Sequence, residues 1–283
     1  MEKENISMFE ILATKWEELG FGCVYEGSLK INHFIEVFNA TYELLRDYVF
    51  KIFFPREILV LSESMYRFCF GKESVCKWLT RTFYEKVFSE IPPSTYPEGV
   101  EVAIPGGGQF FIEYGKLKEG IDKLIKLGDK VELKVKHSVN YSGKTYEKLC
   151  KRWEDLLEDA KHSHESILAE YDFLDEFVPL FEKSYHILKF FSTRKTIDRC
   201  NVQLINRMQD FAYLNETSEM ATSCSTMTML FLDTIIAINP SLEEPRSADV
   251  RYQGDRYTFD FENVRESILG YCSFLNYWCT KDL

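Results

Sequence analysis

From Ser142 to Ser192 residues recur every three or four positions on one stripe: Tyr146, Leu149, Trp153, Leu156, Ala160, His164, Ile167, Tyr171, Leu174, Val178, Phe181, Tyr185 and Leu188. A mean step of about 3.5 keeps such a stripe on one side of a gently supercoiled helix. At about 1.5 Å per residue the segment would reach roughly 75 Å, longer than an ordinary globular helix. The pattern therefore predicts a packed seam, read as Tyr146, Leu149, Trp153, Leu156, Ile167, Tyr171, Leu174, Val178 and Phe181, with His164 breaking its apolar register. Pro179 lies inside it, where a missing N–H and a ring clash predict a bend or a split.

The flanking sequence is also mainly helical. Segments over about 6–19, 31–54 and 72–88 end at Gly20 and Gly22, at Pro55, and at Ile91-Pro92-Pro93-Ser94 with Pro97. That proline cluster predicts a boundary, with an aromatic-rich helical region over 1–98 and a long-helix bundle region over 99–283. Residues 100–114, VEVAIPGGGQFFIEY, read as a hairpin or flap; Gly106–Gly108 lacks both the Lys-Ser/Thr and the G-x-G-x-x-G spacing of phosphate loops. A helix from Lys116, a kink at 139–143, a helix over about 198–238, a hairpin over 250–261 around Gly254 and a helix over 262–279 complete the chain. No internal repeat or low-complexity tract is visible. The expected fold class is mainly α, an extended helical bundle with a long central helix and one or two short β-hairpins.

A content of 45% apolar residues supports a real core, and no apolar run approaches the roughly 20 residues that span a bilayer. With charges of both signs at the N-terminus and no signal core behind it, the expected location is intracellular, in the cytoplasm. Eight scattered cysteines then read as reduced, mostly buried thiols. The net charge of −11 argues against nucleic acid as a partner. It conceals a switch at Trp153. Lys116–Arg152 carries eleven Lys/Arg against five Asp/Glu, while Trp153–Tyr185 carries ten acids against Lys161 and Lys183. Lys116, Lys123, Lys126, Lys130, Lys134, Lys136, Lys148, Lys151 and Arg152 are accordingly the candidate contacts for an anionic partner or lipid.

Catalytic and metal constellations are incomplete. Asp159 and His162 have the i, i+3 spacing that shares a metal, but a di-iron bundle needs two Glu-x-x-His units plus further glutamates, and Glu182 and His186 stand four apart. A solvated acidic face accounts for them, and no metal or other cofactor is implied. Hydroxyls and thiols such as Ser223-Cys224-Ser225-Thr226 occur without a G-x-S-x-G elbow or a Cys/His signature, and small residues there allow close helix packing. No catalytic residue is assigned.

The order of features over 115–191 resembles F-BAR domains, curved dimeric helical modules that bind membranes. The likeness is carried by Gly120, Leu127, Tyr146, Leu149, Trp153, Leu156, Leu157, His164, Leu168, Val178, Pro179 and Leu180. It implies antiparallel dimerisation through the stripe and lipid contact through Lys116–Arg152. Three readings follow. A non-enzymatic, self-associating scaffold or adaptor for protein partners leads; a peripheral membrane module using 116–152 on an anionic surface is next; a helical enzyme or ligand-binding protein with a pocket under the 100–114 flap is third.

Overall fold

The computed structural model describes residues 7–25, 31–69, 74–88, 93–104, 108–127, 144–162, 167–193, 196–214, 218–236, 244–252 and 254–281. Among these residues are ten α-helices and two antiparallel hairpins, the mainly α class that the periodicity predicts. The chain forms two compact units, Met1–Asn140 and Tyr141–Leu283.

The first unit comprises α1 (Met8–Tyr25), α2 (Ile31–Leu45), the short strand β1 (Phe53–Pro55), α3 (Glu57–Cys69), α4 (Val75–Val87), strands β2 (Gly99–Ile104) and β3 (Gly108–Glu113), and α5 (Leu117–Leu127). A reciprocal capping box opens α1: Ser7 Oγ accepts from the Glu10 N–H, and the Glu10 carboxylate accepts from the Ser7 N–H at 2.8 Å. Ser74 caps α4 in the same sense. The core is aromatic, built on Trp16, Phe34, Phe38, Phe68, Phe83 and Tyr114, all but excluded from solvent. Trp16 Nε1 donates to Thr41 Oγ1 at 2.9 Å, and that hydroxyl donates to the Val37 carbonyl at 2.9 Å. A buried indole N–H thus has its partner, as burial demands.

The proline cluster lies within this unit rather than at its edge. Tyr114, directly after β3, packs against Phe38, Tyr42 and Phe83, and Lys86 Nζ donates to the Gly99 carbonyl at 2.7 Å, so the hairpin belongs to the N-terminal core. Gly120 of α5 gives room to the Ile112 side chain of β3.

The second unit comprises α6 (Lys144–His162), α7 (Ile167–Leu188), a 3₁₀ segment Lys189–Thr193, the short strand β4 (Thr196–Asp198), α8 (Arg199–Ala212), α9 (Glu219–Ile236), strands β5 (Ser247–Tyr252) and β6 (Asp255–Asp260), and α10 (Val264–Lys281). Asp198 caps α8, and Gly254 takes φ +92° in the β5–β6 turn.

The expected single rod over 142–192 is corrected. Its stripe is shared by α6 and α7, which pack on each other: Trp153 meets Phe177 edge-on at 6.0 Å, and Trp153 Nε1 donates to Ser184 Oγ at 2.9 Å. On one continuous helix Trp153 and Ser184 would stand about 46 Å apart. Pro179 sits inside α7 without ending it. The predicted helix over 198–238 is likewise two, α8 and α9. Helix α3 has no counterpart among the expected helices, because Ile58–Leu61 is a short apolar run without clear periodicity.

The absence of an internal repeat is also corrected. Both units run helix, helix, short strand, helix, helix, hairpin, helix. Over 34–69 and 177–212, spaced 143 positions apart, Phe34, Phe38, Tyr42, Leu45, Arg56, Leu61, Met65 and Phe68 match Phe177, Phe181, Tyr185, Leu188, Arg199, Leu204, Met208 and Phe211, and every one of these is buried.

Candidate interaction surfaces

The seam residues divide by burial. Leu149, Trp153, Leu156, Leu174 and Phe181 are buried, Tyr146 and Val178 are half-buried, and the Ile167 side chain lies outside the description. Tyr171 is 50% exposed, which corrects its place in the seam. In its stead α7 buries Phe173, Phe177 and Leu180, because α7 packs against α6, α9 and α10 and so needs a broader apolar face than a two-helix seam. Tyr146 reaches α8 instead, its hydroxyl donating to Asn201 Oδ1 at 2.9 Å.

The candidate cations fall in both units, so the basic run is not one helix face. Lys116 follows β3 and pairs with Glu113 at 2.9 Å; Lys123 Nζ stands 4.2 Å from the Phe110 ring centroid; Lys126 is exposed on α5. On α6, Lys148 is exposed, Lys151 pairs with Asp155 at 2.7 Å and Arg152 is half-buried. Lys130, Lys134 and Lys136 lie outside the described residues. The hydrogen bonds that Lys116 and Lys151 donate to Glu113 and Asp155 raise both ammonium pKa values. Both pairs are solvent-exposed, so they neutralise charge locally and contribute little to stability.

Asp159 is exposed on α6, and the His162 side chain is outside the description. Among the described residues no group of three His, Cys, Asp or Glu side chains is placed to hold a metal. The hydroxyls of the 223–226 run serve their own helix: Ser223 Oγ donates to the Glu219 carbonyl, and Ser225 and Thr226 donate to that of Thr222. Cys224 is fully buried, and burial pushes its thiol pKa well up. Cys272, 3.2 Å from Ser223 Oγ, is raised first by burial and further by Glu219 and Glu170. Neither thiol is in the electropositive setting that makes a thiolate nucleophile. Cys69, Cys76, Cys150 and Cys224 are buried, and Cys200 and Cys272 are half-buried. No described helix is long and apolar enough to cross a membrane.

Arg56 and Arg199 sit at matched positions, next to the short strand at the start of α3 and α8, at 6% and 1% exposure. Burial lowers both guanidinium pKa values, that of Arg199 to about 10. Their retention in both units marks them as parts of the fold.

Comparing the two units at matched positions isolates a surface that the sequence reading missed. The first unit exposes Met8, Ile11, Phe50, Ile52, Phe53, Phe111 and Ile125, each between 39% and 59% accessible. Their counterparts in the second unit are Thr145, Lys148, Thr193, Lys195, Thr196, Thr258 and Cys272. Phe9 packs edge-on against Tyr48 at 5.4 Å, which brings the start of α1 to the turn that leads into Phe50–Phe53. The signal was present in the sequence as Phe50-Lys51-Ile52-Phe53-Phe54, where only Phe54 of the apolar residues is buried.

No family model matches the chain, and no match is found among curated proteins or solved structures. The F-BAR resemblance thus has no family match behind it, and its residues are shared between two units of short helices.

Proposed function

We propose that the chain is a non-enzymatic scaffold made of two like modules that binds protein partners and self-associates through the outward apolar residues of its first module. The asymmetry at matched positions carries this reading. At these seven positions the first unit is apolar and exposed, whereas the residues at the matched sequence positions of the second unit are hydroxyl, lysine or thiol. The same order of elements carries the polar set in the second unit, so that order does not require the apolar set. Half-exposed Phe50, Ile52 and Phe53 forgo roughly 25 cal/mol for each Å² of apolar surface left in water, which a partner's surface would recover. Aromatic anchors of this kind dominate interface energetics.

The test exchanges one set for the other. The 283-residue chain at tens of micromolar (about the range of modest self-association) is expected at twice 33.3 kDa in light scattering coupled to small-angle scattering. The triple variant Phe50→Thr, Ile52→Lys, Phe53→Thr, which installs the second unit's residues, is expected at 33.3 kDa with unchanged circular dichroism. A monomeric wild type, or a variant that still associates, would refute the reading.

An anionic membrane is the second reading, favoured by α5, where Ile125 is 54% exposed beside the outward Lys118 and Lys126. The first unit carries a net charge of −3 and the second −8, so any attraction must come from this local patch. Co-sedimentation with phosphatidylserine vesicles at low salt tests it, and Lys118→Glu with Lys126→Glu should abolish binding. No pelleting of the wild type would end this reading.

A further inference from the structure

The correspondence between the units extends to their polar devices, which a generic helical core does not need. Trp16 donates to Thr41, which donates to the carbonyl four residues before it; Trp153 donates to Ser184, which donates to the Leu180 carbonyl, four residues before it, at 2.9 Å. The residue after each tryptophan is a glutamate that crosses to the third helix of its unit. Glu17 accepts from Ser64 at 3.3 Å, and Glu154 pairs with Arg207 at 3.0 Å. Arg46 lies 5.8 Å from the Tyr42 ring centroid, and Lys189 lies 5.5 Å from that of Tyr185. Thr80 Oγ1 donates to the Cys76 carbonyl and Thr228 Oγ1 to the Cys224 carbonyl, both at 2.9 Å.

The aromatic centre repeats contact by contact. Phe38, Tyr42, Phe83 and Tyr114 correspond to Phe181, Tyr185, Phe231 and Phe261. Phe83 meets Tyr114 at 5.2 Å and Phe231 meets Phe261 at 5.3 Å, both edge-on. Tyr42 meets Phe83 at 5.6 Å and Tyr185 meets Phe231 at 5.5 Å. Each hairpin closes with the same backbone bond, Tyr114 N–H to the Glu98 carbonyl and Phe261 N–H to the Arg246 carbonyl, both at 2.8 Å. The spacing between matched residues is 137 at Trp16 and Trp153, 143 at Phe34 and Phe177, 148 at Cys76 and Cys224, and 147 at Tyr114 and Phe261. Every change of spacing falls between elements, where insertions and deletions are tolerated.

We infer that the chain is a tandem duplication: residues 1–140 and 141–283 are two copies of one ancestral module, and their core segments remain interchangeable in register. Convergence on an all-helical core would reproduce apolar stripes. It would not reproduce a hydroxyl at the position that receives the indole N–H, a glutamate after each indole, and a cation over the same tyrosine. This inference does not depend on the proposed scaffold function.

The test is a graft within the full chain. Residues 34–45 replace 177–188 in register, which keeps Phe, Phe, hydroxyl, Tyr and Leu at 177, 181, 184, 185 and 188. A control graft of 33–44 into the same twelve positions has nearly the same composition but is shifted by one residue, and both grafts remove Pro179. Hydrogen exchange followed by mass spectrometry reads protection in α7, α8 and α9. The in-register graft should hold protection within about tenfold of wild type, and the shifted graft should lose about a hundredfold or more. Equal loss in both grafts, or equal tolerance of both, would overturn the inference. The gentler exchange Thr41→Ser with Ser184→Thr should leave tryptophan emission at its wild-type wavelength, and a red shift would count against it.

Discussion

Ser184 has no accessible surface and neither does Trp153, so replacing Ser184 by alanine leaves a buried indole N–H facing a methyl group. An unsatisfied buried donor costs about 1–3 kcal/mol. Alanine recovers about 0.5 kcal/mol of that through its better helix propensity inside α7. The Leu180 carbonyl also loses the hydroxyl, but it still lies within the helical ladder. The net expectation is about 1–2 kcal/mol of destabilisation, or roughly a five- to thirtyfold loss of amide protection in α6 and α7. Ser184→Thr should be nearly neutral, since the first unit uses threonine at the matched position. Trp153→Phe removes the donor itself. Against that background the serine-to-alanine penalty should vanish, giving a coupling of about 1–2 kcal/mol in the double-mutant cycle. Hydrogen exchange is the suitable assay because two compact units need not unfold as one transition. Wild-type protection in Ser184→Ala, or a coupling of zero, would refute the claim that this bond supports the second core.

Thr41→Val, which keeps shape and deletes the acceptor for Trp16, should destabilise the first unit by about 1–3 kcal/mol, measured as lost protection in α1 and α2. Asp260 accepts from the Asn263 side chain at 2.6 Å and from the Glu262 N–H at 2.8 Å, and these bonds hold its pKa below the usual carboxylate value. Its contribution is therefore present above the unfolded-state pKa of about 4 and lost as pH falls through the lower folded value. Asp260→Ala should cost about 1 kcal/mol at pH 7, and that cost should shrink in paired thermal melts as pH falls below the unfolded-state value. Glu219 shows the opposite sign: burial, with Glu170 nearby, raises its pKa, so its contribution is present at low pH and lost as pH rises. Glu219→Gln should consequently be at least as stable as wild type at pH 7. In native protein, alkylation read by mass spectrometry should spare Cys224 and modify Cys272 only slowly at pH 8; rapid labelling of Cys224 would contradict its burial.

Short-range and long-range contacts divide what is legible in this chain. Helical periods, the two hairpins and the shielding of most described thiols follow from contacts of a few residues, and the sequence determines them. A stripe of period 3.5 is equally satisfied by one long helix and by two helices folded together, because either arrangement buries the same face. The Trp153–Ser184 bond decides between them, and it spans 31 positions. Phe173 and Phe177 could have been read as the second rank of a wide apolar face, which marks a helix with several neighbours rather than a two-helix seam.

The apolar run Phe50–Phe54 is visible in the sequence, but which of its residues stay outside is not, since Phe53 and Phe54 look alike while the first is 59% exposed and the second fully buried. The duplication was hidden for a related reason. Core positions constrain burial and rough volume rather than identity, so buried Ile58 matches buried Asn201 in sequence position and Leu79 matches Met227, and the shifts between elements remove a constant spacing. What the sequence alone determined is the local grammar of helices and turns. Which faces meet, which apolar residues stay outside, and that the chain says the same thing twice were decided by tertiary contacts, because only packing assigns a partner to each side chain.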